Sequence, residues 1–171
     1  PDLGGHGDTP ALPGALLEAA VPAACGVLAA PGLHAAAIAA GEGALVEIAL
    51  GGSSPLFGPS VHAQGRVLRV LETVAVLAVG PVSLLVADAP MRATPGLFAA
   101  AGIDPSRLSL LAIKGGHQTG EAFAWFFPHI LAVLCPGPTT PQLGELPFTY
   151  RTARRVPRPA AHRGMRQAGE A

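Results

Sequence analysis

A single α/β domain, built on a mixed β-sheet flanked by helices, is the fold class this sequence predicts. Three observations predict it. Short apolar strand-like runs interleave with alanine- and leucine-rich helical runs, the pattern of helices laid on a sheet. Residues 61–87 instead hold strand-like runs in succession with only tight turns between them, which adds antiparallel neighbours to the sheet. Half of the 171 residues are hydrophobic and only 13% are charged. That is enough apolar material for one core, and it excludes a disordered chain.

The elements follow in order. Residues 11–20 read as a helix, with Asp8 or Thr9 as cap and Pro10 suited to a first turn. CGVLAAP at 25–31 reads as a short buried strand. GLHAAAIAAG at 32–41 reads as an alanine-rich helix closed by Gly41. Residues 44–52 alternate and read as a strand, SSPLFGPS as a loop, and residues 61–72 as a second alternating strand. TVAVLAV and VSLLVAD, joined at Gly80-Pro81, read as a hairpin or two successive strands. TPGLFAAAG at 94–102 is a short helix with Thr94 as N-cap, and IDPSRL is a turn. LSLLAIK at 108–114 is a buried strand. A helix runs from Thr119 to about His129, ended by Pro128. ILAVLCPG at 130–137 is another buried strand. Residues 1–150 form the domain; residues 151–171 form an Arg-rich, Pro-containing tail expected to be poorly ordered.

Charge divides the chain in the same place. Residues 1–150 hold five basic and ten acidic residues, whereas residues 151–171 hold six arginines against Glu170. The tail has no lysine and no aromatic interleaving beyond Tyr150. It is read as a solvated or wrapping segment and not as a nucleic-acid arm. Cys25 and Cys135 have neither zinc-knuckle nor CxxC spacing. Two buried reduced thiols are expected, as in a cytoplasmic protein. The longest uncharged apolar stretch, residues 73–87, is too short and too interrupted to span a membrane. The chain opens on a loop without a starting methionine and reads as part of something longer.

Two loops could carry chemistry. In GGHGDT at 4–9, glycines stand before a helix start, where backbone N–H groups bind anions and a ligand can approach closely. His6 and Asp8 could be ligands or acid/base groups there. A flexible loop in which Asp8 merely caps the helix accounts for the same residues. The second loop follows Lys114, the only lysine in the chain. Lys114 ends a buried strand, where ligands gather in α/β sheets. Gly115 and Gly116 free the backbone, and His117 stands at a helix start. The lysine could hold a carboxylate or phosphate, and His117 could donate a hydrogen bond or move a proton. A solvated lysine and a surface histidine are the alternative. The loop lacks the GxxxxGK[ST] spacing of a phosphate-binding loop. Neither HExxH nor GxSxG occurs. His34, His62 and His129 read as structural, solvent-facing and helix-ending in turn.

Four stretches together resemble a known family. GGHGDTPALPGALLEAAV resembles the Gly-rich loop and following helix of microcystinase C (MlrC)-type metallopeptidases. LFAAAGIDPSRLSLLAIKGGHQTGEAFAWFFPHILAVLCPGPTTPQLGELPF is similar to that family's C-terminal run. RRVPRP is similar to its closing segment, and GALVEIALGG with GPSVHAQGRVLRV to its middle. The resemblance implies the C-terminal portion of a zinc-dependent hydrolase, a peptidase or amidase, with its zinc ligands in an N-terminal half. It implies a domain that completes the substrate cleft, with that metal-binding half and a peptide or small amide as partners, and an isolated chain that is inactive. Carried onto this chain, it gives Lys114 and His117 catalytic roles and Gly4, Gly5, His6, Asp8, Gly115 and Gly116 substrate-binding roles, with no metal ligand here. The family's KS-x-x-HFRA is KGGHQTGEA in this chain, without the arginine. The alternatives are a non-catalytic binding module derived from the family and an anion-binding α/β domain.

Overall fold

The structure, a computed structural model, describes residues 11–51, 60–113, 117–131 and 133. The elements run α1 (Ala11–Ala19), β1 (Ala23–Ala29), α2 (Pro31–Ala40), β2 (Leu45–Leu50), β3 (Val61–Val70), β4 (Val74–Val79), β5 (Val82–Ala87), α3 (Pro95–Ala100), a 3₁₀ turn (Pro105–Arg107), β6 (Leu110–Ile113) and α4 (His117–Phe123). The six strands form one sheet in the order β2-β3-β4-β5-β1-β6. From β2 to β5 the pairs are antiparallel; β1 is parallel to both β5 and β6. The sheet is thus mixed, as expected.

Local chemistry sets most boundaries. Pro31 opens α2, where a missing N–H costs nothing. Gly41 closes it at φ 79°, a conformation that favours glycine, and its N–H donates to the Ala37 carbonyl at 3.0 Å. Thr94 caps α3, its Oγ1 accepting from the Leu97 N–H at 3.2 Å. Gly80, at φ 56°, takes the positive φ that a two-residue hairpin loop wants at its first position, and Val79 pairs with Val82 across it. Asp104 caps the 3₁₀ turn, accepting from the Ser106 N–H at 2.9 Å and hydroxyl at 2.7 Å.

Alternation then sorts the side chains into two cores. Along β4, Ala75, Leu77 and Val79 join Ile48, Leu50, Val67 and Leu84 under Leu16 of α1 and Leu33 and Ala37 of α2. Val74 and Val76 turn the other way, with Ala24 and Leu85, against Phe98 of α3, Ile103 and Phe123 of α4. β1 lies between two parallel partners, and its first six residues are buried. Its composition, AACGVLA, suits that place. Gly26 sits where a Cβ would stand 2.7 Å from Leu85 Cβ.

The C-terminal elements depart from expectation. The last helix begins two residues earlier, at His117, and ends at Phe123, well before Pro128. Its end tightens: the Phe126 and Phe127 N–H groups both return to the Phe123 carbonyl. The residue before a proline avoids the helical region, so Phe127 could not extend a helix into Pro128. His129 accordingly stands exposed beyond the helix instead of closing it. The expected buried strand at 130–137 is not seen where it is described: Ile130, Leu131 and Val133 lie outside any strand, at 57%, 82% and 64% exposure. A strand needs a neighbouring backbone, and among the described residues β6 pairs only with β1. Cys25 is buried, as expected. Cys135 and the tail at 151–171 lie outside the described residues.

Candidate functional site

The parallel strands β5, β1 and β6 end on one edge of the sheet. Ala29 of β1 pairs with Ala87 of β5, and Gly26 of β1 with Ile113 of β6. The chain leaves these strand ends in opposite directions. After β1 it turns at once into α2, on the core that holds Leu33 and Ala37. After β5 and β6 it passes to α3 and α4, on the core that holds Phe98 and Phe123. Adjacent strands whose connections depart to opposite faces leave a crevice at their carboxyl ends, where ligands bind in open α/β sheets.

Three described polar residues lie at or near this edge. Asp88 follows β5 and is exposed, and Arg92 is exposed in the same connection. His34 lies in the first turn of α2, its N–H donating to the Ala30 carbonyl at 2.9 Å. Only 5% of it is exposed, and its Nε2 has no hydrogen-bond partner among the described residues. The sequence reading of His34 as structural agrees with its burial. Asp88 and Arg92 were not among the residues the sequence singled out. The signal for Asp88 was available: it is the first charged residue after a buried parallel strand.

Of the sequence-derived site residues, His117 opens α4, directly after the loop that leaves β6. Its side chain, and Lys114, Gly115 and Gly116, lie outside the described atoms. So do Gly4, Gly5, His6 and Asp8. Among the described residues no three His, Cys, Asp or Glu side chains converge to hold a metal ion. No helix among the described residues is long and apolar enough to cross a membrane.

A cavity of about 360 Å³ lies away from the strand ends, lined by Leu68, Arg69, Val76, Ser83, Asp104 and Arg107 among others. Two of its polar groups, Arg69 and Asp104, already have structural partners. Arg69 donates through Nη1 to the Ala100 carbonyl at 2.8 Å, at the end of α3. Hydrogen bonds from the Ser106 hydroxyl and N–H, with a smaller contribution from Arg107, hold the Asp104 carboxyl below its ordinary value. The strand-end edge, not this cavity, is the candidate site.

Fold and edge define an α/β domain with a short parallel core, whose carboxyl-end edge is the candidate site. The family follows from comparison with known proteins. Residues 1–150 match the model of the family described as MlrC C-terminus, and the chain belongs to that family. No curated protein matches it. The chain is similar in fold to the crystal structure of the "Putative metallopeptidase" from Mesorhizobium sp. BNC1, with a TM-score of 0.52 and 19% identity. The likeness covers 73% of this chain and 31% of that one, so this chain spans about a third of the length of that protein.

Proposed function

We propose that this domain is the C-terminal portion of a zinc-dependent hydrolase, a peptidase or amidase, and that it completes the substrate cleft beside an N-terminal half that carries the zinc. The observation that carries the reading is the family match over residues 1–150. The name of the Mesorhizobium protein supports a hydrolase of this class. The shared carboxyl-end edge of β5, β1 and β6 supports the location, because β6 ends at Ile113, the residue before Lys114, on that edge.

In this reading the chain's own groups bind and orient. Lys114, a flexible point charge, holds a substrate carboxylate or orients a carboxylate that faces the metal. His117 donates to the carbonyl under attack or holds the substrate. Gly115 and Gly116, with Gly4 and Gly5, let the substrate backbone approach, while His6 and Asp8 contact it from the other loop. The domain on its own is inactive, because none of these roles replaces a metal-activated water.

The test uses the polypeptide that carries both halves. Lys114→Ala lowers hydrolysis of a linear peptide by about 10²-fold or more while the zinc content stays unchanged. Unchanged hydrolysis removes Lys114 from the mechanism. A second measurement checks the division of labour: the 171-residue chain, incubated with zinc and dialysed, retains none. One zinc per chain, lost on changing His6, Asp8 or His117, would move the metal site into this domain.

A further inference from the structure

Between Glu121 and Glu145 the chain has no Asp, Glu, Lys or Arg. A solvated face does not read this way. The run is rich in aromatic and branched aliphatic residues, the composition of a segment that is covered. Yet five of its described apolar side chains are exposed. Trp125 is 95% exposed, Phe126 43%, Ile130 57%, Leu131 82% and Val133 64%. The neighbouring residues show that this is not a frayed end. Phe123, just before, is 3% exposed in the core and stacks edge-on with Phe98 at 5.6 Å, and Phe127 packs against the same core. Ile130 lies back near α4, its Cγ2 3.5 Å from where a Cβ on Gly120 would stand. The segment is therefore held to the domain by its inward residues, while its outward residues have no cover among the described residues.

Single exposed apolar residues are ordinary; five within nine residues of chain, one a tryptophan at 95% exposure, point to an interaction surface. The family and the alignment indicate what covers it. The chain belongs to a family defined as a C-terminus, and more than two thirds of the Mesorhizobium chain falls outside the part it matches. We infer that the surface of Trp125, Phe126, Ile130, Leu131 and Val133 is the docking face for the N-terminal portion of an MlrC-type polypeptide. The inference rests on the two-half reading of the proposed function and adds to it the face that meets the other half. The same uncharged run makes that contact apolar, so it behaves as a permanent interface and not as an opening cleft.

The experiment compares the 171-residue chain with the polypeptide that carries both halves, by amide hydrogen exchange of residues 124–133 and by thermal unfolding. The expected result is rapid exchange in the shorter chain and exchange slowed by about tenfold or more when both halves are joined. Trp125→Glu and Leu131→Glu leave the unfolding midpoint of the shorter chain unchanged and lower that of the two-half polypeptide. Equal exchange in both proteins overturns the inference. So does protection in the shorter chain that disappears on dilution, which would assign the face to a second copy. A midpoint lowered equally in both proteins overturns it too, since the residues would then matter within the domain. Hydrolysis and zinc content, read on the same samples, separate this inference from the functional one. An active, zinc-bearing polypeptide with an unprotected face refutes only the docking surface. A protected face without zinc or hydrolysis refutes only the enzyme reading.

Discussion

Removing the Phe98 ring is the sharpest perturbation of the part of the fold that carries the candidate loop. Phe98 is fully buried, and its ring meets that of Phe123 at 5.6 Å with an interplanar angle of 85°. The pair joins α3 to α4, and α4 begins directly after the loop with Lys114. Phe98→Ala loses the transfer free energy of the ring and leaves a cavity between two helices and the sheet, together about 3–5 kcal/mol. The edge-to-face contact contributes about 0.5–1.5 kcal/mol of that. Against a total stability of about 5–15 kcal/mol, the loss is severe but leaves a foldable protein. Urea unfolding followed by circular dichroism measures it. A double-mutant cycle with Phe123→Ala isolates the ring contact, with a coupling of about 0.5–1.5 kcal/mol expected. Amide exchange in residues 117–123 should rise in both single variants. A loss below about 1 kcal/mol, or no coupling between the two rings, would refute the claim that this pair anchors α4.

Two further predictions concern glycine and charge. A Cβ on Gly65 would stand 2.5 Å from Ile48 Cδ1, 3.2 Å from Val79 Cγ2 and 3.3 Å from the Ala78 carbonyl oxygen. Gly65→Ala therefore destabilises by about 1–3 kcal/mol through overpacking. Gly32, with nothing within 4 Å and a place inside α2, takes the opposite sign. Gly32→Ala stabilises by about 0.5–1 kcal/mol; urea midpoints that move in the same direction contradict the packing argument. The Asp104 carboxyl is held below its ordinary value in the fold, so its contribution to stability is full above that value and is lost as pH falls through the lowered one. An NMR titration of its side-chain carboxyl carbon should give a midpoint below that of an ordinary aspartate, and Ser106→Ala should raise it. A midpoint at or above the ordinary value contradicts the capping geometry.

Much of this protein was legible in sequence because its causes are local. Pro31 and Gly41 bound α2, Thr94 caps α3 and Gly80-Pro81 turns the hairpin through the backbone conformations those residues allow, wherever the rest of the chain goes. Alternation in β2, and the successive strands at 61–87, likewise announced the antiparallel half of the sheet. Family motifs pointed to the loops with Asp8 and Lys114, whose side chains lie outside the described atoms. Other features depended on which elements meet. Backbone hydrogen bonds are the same whichever strand supplies them, so only the tertiary structure decided that β1 sits between β5 and β6 with their carboxyl ends on one edge. Only there does Asp88, the residue after β5, fall at the same sheet edge as the start of α2. The apolar run at 130–133 shows the limit most clearly. Its apolar composition led to the expectation of a buried strand, but a hydrophobic side chain carries no information about which surface, if any, it meets. The structure shows Ile130, Leu131 and Val133 exposed, which composition alone did not reveal.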